Sequence, residues 1–325
     1  MNIIIVGLGS IGKRHFHNLI NLGYDNISIV SKSSVVDTTF ERFKIYSSLE
    51  SALSEDVFSH AIICTPTANH ISDLEILLDN NIQNIYLEKP ISNNLDHIDR
   101  INSKIQNCRK CIVGYDLHFD PGLLKMKEIL TEKKLGKLFS INAVVGQFLP
   151  DWRPIQNYKE GMSAKIDKGG GVLLDLIHEF DYLRWLIGNP ERIACIYQNN
   201  PTLEIETEDV ADVLIQFENN VTGTIHLDYH QKKLVRNCMI TCEKGTIFWD
   251  LAISEVKVVT QSDKIETFSY QDFERNQRYI NCMSAFIDDS KFNDKLTTFE
   301  EAIISLKMVV AAKKSSELKT FIELN

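Results

Sequence analysis

The chain has 325 residues, 44% of them apolar and 24% charged, with a net charge of −9. This composition fits about two globular domains and excludes a disordered or fibrous chain. The acidic balance, without long runs of like charge, argues against nucleic acid or an anionic membrane as partner. No apolar run approaches the roughly 18 residues of a membrane span, and Ile3 to Val6 is too short for a secretory leader. Seven cysteines, an odd number in a long chain, read as reduced thiols of a cytoplasmic protein.

Ile3-Ile4-Ile5-Val6 is a buried-type strand that breaks into Gly7-x-Gly9-x-x-Gly12, and Ile11, His15, Leu19 and Leu22 follow at helical spacing. In such a strand–turn–helix unit Gly7 permits the tight turn. Gly9 lets backbone approach a pyrophosphate, and Gly12 lets the helix pack on the strand. The N–H groups of the first helical turn, from Ser10 and Ile11 onward, face the phosphates. A dinucleotide site is therefore expected here.

Ile27–Val30 reads as the second strand. An NAD-type site usually carries Asp or Glu at its end to bond the ribose 2′-hydroxyl. Here the end reads Ser31-Lys32-Ser33. A cation with hydroxyls suits a 2′-phosphate, so NADP(H) is favoured over NAD(H). His60–Cys64 is a further strand ending in Thr65-Pro66, Asn69–Leu78 a helix, and Ile85–Leu87 a strand ending in Glu88-Lys89-Pro90. A helix over 94–105 and a strand over 111–114 complete a doubly wound parallel sheet, a Rossmann domain over residues 1–118. Ligands of such sheets bind at the carboxyl ends of strands, so Gly7, Ser31, Thr65, Glu88 and Tyr115 should line one edge, and Cys64 is a further cofactor-side candidate. Cys108 and Cys111 form a CxxC without a second pair at zinc-finger spacing, so they read as strand-edge thiols and no metal site is expected.

The combination of Gly7-x-Gly9-x-x-Gly12, Thr65-Pro66-x-x-x-His70 and Glu88-Lys89-Pro90 resembles the Gfo/Idh/MocA oxidoreductases. That resemblance implies that Lys89 is an active-site cation and that Pro90 shapes its turn. It also implies that Glu88 lies near the nicotinamide ribose and that His70 belongs to the cofactor side. Lys89 is then placed to share a proton with a substrate hydroxyl.

The second domain, residues 119–325, opens with a helix from Pro121 to about Lys134 and a strand from Leu138 to about Phe148. The loop Asp151-Trp152-Arg153-Pro154 resembles one that approaches the cofactor in a branch of the family. On that likeness Trp152 covers the nicotinamide and Arg153 meets a phosphate or substrate oxygen. Gly169-Gly170-Gly171 then opens a helix that carries Asp175 and His178, three residues apart and on one face. His trades a proton near neutral pH, and a nearby carboxylate would orient it. His178 is expected to be the proton-transfer group, assisted by Asp175. The commoner family pattern has four residues from Asp to His. The three found here resemble a sub-branch of bacterial polysaccharide biosynthesis, so which of the two meets the reacting hydroxyl stays open. Tyr115 and Tyr158 are the further substrate-side candidates.

From Arg192 to Thr260 six strands follow, with turns at Asn219-Asn220 and Glu243-Lys244-Gly245. They form a mostly antiparallel sheet and make this an α+β domain. Ala211–Phe217 alternates poorly, which predicts cover on both faces of part of the sheet. The family likeness implies an open-faced sheet that pairs subunits, as a homodimer or homotetramer. Two helices, about 274–290 and 299–318, close the chain. Tyr279, flanked by Arg275 and Arg278, reads equally as a substrate contact or a solvated face. The expected activity is hydride transfer between nicotinamide and a secondary alcohol or ketone of a sugar, cyclitol or nucleotide sugar. A glycoside hydrolase using bound NAD and a non-catalytic cofactor-binding regulator are the alternatives.

Overall fold

The computed structural model describes residues 1–32, 38–261, 264–290 and 293–324, which fall into two compact units. The first comprises Met1–Asp116 and Asn276–Ile303, the second Leu117–Arg275 and Ile304–Asn325.

The first unit is built on β1 (Ile3–Val6), β2 (Ile27–Val30), β3 (Lys44–Tyr46), β4 (His60–Ile63), β5 (Asn84–Leu87) and β6 (Lys110–Val113). They are parallel, in the order β3-β2-β1-β4-β5-β6. The helices are α1 (Ser10–Asn21), α2 (Leu49–Glu55), α3 (His70–Asp79) and α4 (Ile98–Ile105). β1, β2 and β5 are buried at every residue, as a parallel sheet covered on both faces requires. Strand order reverses between β1 and β4, so the carboxyl ends of those strands flank a crevice where α/β sheets take ligands. β3 and α2 were not anticipated. β3 is only three residues long, and α2 is a short helix whose start is fixed by Ser48 accepting from the Ser51 N–H at 3.1 Å.

Residues 276–303, which the sequence placed in the second domain, pack with the first unit. Within that unit Cys282 lies 3.6 Å from the Tyr86 hydroxyl, and the Phe286 ring meets Tyr86 edge-on at 5.6 Å. A two-residue strand, Thr297–Thr298, pairs antiparallel with β6. This return of the chain depends on contacts far apart in sequence, which local patterning does not record.

The second unit begins with α5 (Pro121–Glu132), capped by Asp120, whose Oδ1 accepts from the Gly122 N–H at 3.0 Å. Next come β7 (Leu138–Gly146), α6 (Val172–Asp175), α7 (His178–Ile187), β8 (Pro190–Gln198), β9 (Val210–Phe217) and β10 (Val221–Asp228). Then follow β11 (Val235–Cys242), β12 (Gly245–Asp250), β13 (Glu255–Thr260) and β14 (Ile265–Ser269). α8 (Arg275–Ile287), β15 (the Thr297–Thr298 strand), α9 (Phe299–Leu318) and β16 (Ile322–Glu323) complete the chain. The sheet runs β14-β13-β12-β11-β7-β10-β9-β8-β16, antiparallel except where β7 lies beside β10. Its helix-covered face carries Val213, Ile225, Ala143, Cys238, Trp249 and Val256, all buried.

Two further expectations are corrected. β9 alternates cleanly between buried and accessible residues, so it is covered on one face only; Leu214, an apolar residue on the other face, is what blurred the pattern in sequence. The helix expected through Asp175 and His178 is broken between them. The Ile177 N–H bonds the Leu174 carbonyl and the Glu179 N–H the Leu176 carbonyl, a tighter i→i−3 winding. Leu173, Leu174, Leu176 and Ile177 are all buried, so packing on every side, rather than one helical stripe, sets the path.

Candidate functional site

In the first unit the three glycines of the opening turn answer to different constraints. Gly7 has φ +99°, and a Cβ there would stand 2.8 Å from the Cys64 carbonyl oxygen. A Cβ on Gly12 would overlap the Gly7 carbonyl oxygen, whereas one on Gly9 would have nothing within 4 Å among the described residues. No described residue fills the space at Gly9, which leaves it open to a ligand. Gly9 caps α1, whose first hydrogen bond runs from the Lys13 N–H to the Gly9 carbonyl at 2.9 Å. The N–H groups of Ser10, Ile11 and Gly12 belong to the turn that a helix leaves unbonded at its N-terminus. Donors, a positive dipole end and an absence of side chain fit a pyrophosphate.

The other strand ends complete this half. Ser31 is half-buried and Lys32 exposed after β2; Ser33 lies outside the described residues. After β4, Cys64 is buried, with its thiol held well above its ordinary pKa by burial and then by the Glu88 charge. Thr65 donates from Oγ1 to Asp73 Oδ2 at 2.6 Å, and Pro66 is exposed. Burial holds the Asp73 carboxyl above its usual range. After β5, Glu88 is buried and meets His15 Nε2 at 2.6 Å. Lys89 is half-exposed and joined to the buried Pro90 by a cis peptide. His70 is buried, with Nδ1 2.7 Å from the Pro90 carbonyl oxygen and Nε2 2.9 Å from that of Thr65. Tyr115 is buried beyond β6. Nearby in this unit, Arg278 pairs with Asp116 at 3.1 Å, and the Arg14 guanidinium lies over the Tyr279 ring at 4.4 Å. Cys108 and Cys111 are free thiols, and among the described residues no His/Cys/Asp/Glu group could hold a metal ion.

In the second unit the triple glycine packs against protein. A Cβ on Gly170 would overlap the Met162 carbonyl oxygen, and one on Gly171, at φ +114°, the Glu208 carboxylate. Glu208 also accepts, through its backbone carbonyl, from the Val172 N–H at 3.0 Å. This fixes the start of α6, so Asp175 ends that helix and His178 begins α7, both buried. The Tyr229 hydroxyl donates to Asp175 Oδ2 at 2.7 Å. Burial, and then the Asp175 charge, push the Tyr229 hydroxyl well above its usual pKa, so it stays a donor. Trp152 meets Tyr229 edge-on at 5.3 Å and donates from Nε1 to the Gln147 carbonyl at 3.1 Å. Trp152, Tyr229 and Asp175 thus form one contiguous group. Arg153 is exposed. Tyr158 is half-buried and donates to the Leu203 carbonyl at 3.1 Å.

Further along α7, Glu179 takes a bidentate grip from Arg236 at 2.8 and 2.9 Å. Asp181 meets His118 Nε2 at 2.7 Å and accepts from the Ser305 hydroxyl at 3.2 Å. These two carboxylates fix the helix that begins at His178. Lys89 belongs to the first unit, Asp175 and His178 to the second.

Sequence reasoning missed His15, Asp73 and Glu208, the side chains that hold Glu88, Thr65 and the glycine loop. His15 alone left a signal, as a polar residue on the apolar stripe of α1. The link from Tyr229 to Asp175 was missed as well.

Two family models match the chain. Residues 1–115 match an oxidoreductase family with an NAD-binding Rossmann fold, and residues 123–248 match the GFO/IDH/MocA C-terminal domain, together well over half of the chain. Among curated proteins, myo-inositol 2-dehydrogenase of Thermotoga maritima is 27% identical, over 100% of this chain and 98% of that protein. Among solved structures, levoglucosan dehydrogenase in complex with NADH superposes with a TM-score of 0.87 at 16% identity, covering 100% and 99% of the two chains. Myo-inositol 2-dehydrogenase from Lactobacillus plantarum gives 0.82 at 17% identity, with the same coverage. At these identities the structural likeness bears on the fold alone.

Proposed function

The chain belongs to the Gfo/Idh/MocA oxidoreductase family, and from that premise we propose that it is an NAD(P)-dependent dehydrogenase acting on a secondary alcohol or ketone of a cyclitol or sugar. The observation that carries this reading is the cradle at Gly7, Gly9 and Gly12. It lies at the order reversal of a six-stranded parallel sheet and is open where a pyrophosphate would approach. The cyclitol or sugar class is supported by the inositol dehydrogenase among the relatives.

In this reading Ser10, Ile11 and Gly12 bind the pyrophosphate through backbone N–H groups, with Cys64, Thr65, Pro66, Glu88 and Pro90 beside the same cofactor. Trp152 and Arg153 are its contacts from the second unit. Ser31 and Lys32 favour a 2′-phosphate, hence NADP(H). When bound, the nicotinamide supplies or accepts the hydride. His178 takes the hydroxyl proton in oxidation and returns it in reduction. Asp175, itself held by Tyr229, orients and stabilises the protonated imidazole. The Lys89 ammonium stabilises the charge that develops on the substrate oxygen. Tyr115 and Tyr158 complete the substrate side. The three-residue Asp175–His178 spacing favours a second substrate class, the nucleotide sugars of surface polysaccharide synthesis. The accessible face of the nine-stranded sheet pairs two copies of the chain. Across it, Ala194, Leu214, Thr224, Asn142, Met239, Phe248 and Lys257 form one cross-strand row, with Leu214 and Phe248 at least 40% exposed.

The test is nicotinamide absorbance on mixing the protein with NAD⁺ or NADP⁺ and a panel of inositols, free sugars and nucleotide sugars. A signal with one class identifies the substrate. His178→Asn and Lys89→Ala should each abolish it while cofactor binding persists. Full turnover in both variants removes the mechanism. Cofactor retention with no turnover across the panel transfers support to the NAD-using hydrolase or the regulator.

A further inference from the structure

His70 was expected beside the cofactor, yet both of its ring nitrogens face backbone. The ring is 1% exposed and stands between two carbonyl oxygens, Pro90 at 2.7 Å from Nδ1 and Thr65 at 2.9 Å from Nε2. Those carbonyls end the turns after β5 and β4, two adjacent strands of the first unit. One of them belongs to the residue that follows Lys89. A neutral imidazole carries a single N–H, so at most one of the two contacts is then a hydrogen bond.

We propose that His70 is a positioning residue for Lys89: its Nδ1–H holds the Lys89-Pro90 turn through the Pro90 carbonyl, and a second proton on Nε2 ties that turn to Thr65. This deepens the reading above and rests on it for the role of Lys89. Burial lowers the affinity of the ring for that second proton, while the two carbonyls and the Glu88 carboxylate favour it and the Lys89 ammonium opposes it. The neutral ring is therefore the working form, and the shorter contact, 2.7 Å at Nδ1 against 2.9 Å at Nε2, is the one on which the proposal places its proton. The doubly tied form is reached only in acid, below the ordinary value of 6.5.

The inference is tested on the wild-type protein by NMR of ¹⁵N-labelled histidine. The expected spectrum at neutral pH has a single slowly exchanging N–H for His70, on Nδ1, joined by one on Nε2 in acid. A neutral ring protonated on Nε2 would leave Pro90 unheld and overturns the proposal. His70→Phe keeps a buried ring and removes both contacts. It should lower kcat on the order of tenfold to a hundredfold, the cost of a catalytic group about 1 Å out of place. The cofactor KM should change by no more than about threefold, since uniform binding is untouched. The variant should also lose an acid-side inflection in kcat that the wild type has. An unchanged kcat and pH profile in a folded His70→Phe protein overturns the proposal. If that variant does not fold, the tautomer decides alone. Full turnover in Lys89→Ala would instead remove the role assigned to Lys89, while the NMR result for His70 would stand.

Discussion

Tyr229→Phe tests the core of the second unit with the loss of one oxygen atom. The hydroxyl donates to Asp175 Oδ2 at 2.7 Å with both side chains buried. The ring itself, and its edge contact with Trp152, are kept by phenylalanine, so no cavity larger than the hydroxyl is left. What is lost is a hydrogen bond to a buried carboxylate, which costs about 1–3 kcal/mol when the acceptor stays in place. For a unit of this size each kcal/mol lowers Tm by about 2–4 °C, so a fall of roughly 2–12 °C is expected. Turnover should fall with it, because Asp175, proposed above to orient His178, would no longer be held by Tyr229. The assay is thermal unfolding of wild type, Tyr229→Phe, Asp175→Asn and the double variant, with kcat measured for each. Residues in direct contact should give a coupling energy of about 0.5–3 kcal/mol. Strictly additive losses would mean that the two side chains do not interact, and the argument for Asp175 as a held, orienting carboxylate would fail with them.

Two further outcomes concern the accessible face of the nine-stranded sheet. Light scattering should give twice the chain mass of 37.2 kDa, or four times it, and Leu214→Glu should reduce it to the single-chain value; a wild-type monomer removes the pairing. On the same face His226 lies between Asp228 at 3.2 Å and Asp212 at 2.7 Å. The Asp228 contact first, and then Asp212, raise its pKa to about 9, against the opposing effect of partial burial. The folded value thus exceeds the unfolded one of 6.5. The stabilisation is fully present below pH 6.5 and is lost as pH rises through about 9. Between those limits the wild type should lose more Tm than His226→Gln, and equal slopes would refute the charged triad.

What the sequence made legible follows from which forces are local. The strands β1, β4 and β5 carry the continuous apolar runs Ile3–Val6, Ala61–Ile63 and Ile85–Leu87, because a parallel sheet buries both faces. The glycines between them are demanded by a backbone conformation at Gly7 and a close carbonyl at Gly12. Such requirements are written at the residue that meets them. The second-domain strands were legible for the related reason that Asn219 and Asn220, at φ 65° and 60°, supply the turn that a tight hairpin needs. The partners of the site residues are written elsewhere. Glu88 is held by His15, 73 positions away, and Asp175 by Tyr229, 54 positions away. His15 shows only as a polar residue on the apolar stripe of α1, and Tyr229 does not differ in local pattern from an ordinary core residue. The same holds for α8, whose amphipathic stripe says that it is covered but not by which unit. Between Asp175 and His178 the difficulty is of another kind. Helical spacing assumes one cylinder with one buried stripe, and a segment buried on all sides is released from that rule. The i→i+3 relation used to place the two side chains on one face was a property of the assumed helix. What joins them instead is a fixed α6, its start set by Glu208 and its end by Tyr229, and the fixed start of α7, set by Arg236 and His118. The geometry at His178 therefore depends on four residues outside its own segment, and variants of those four should perturb it without touching it.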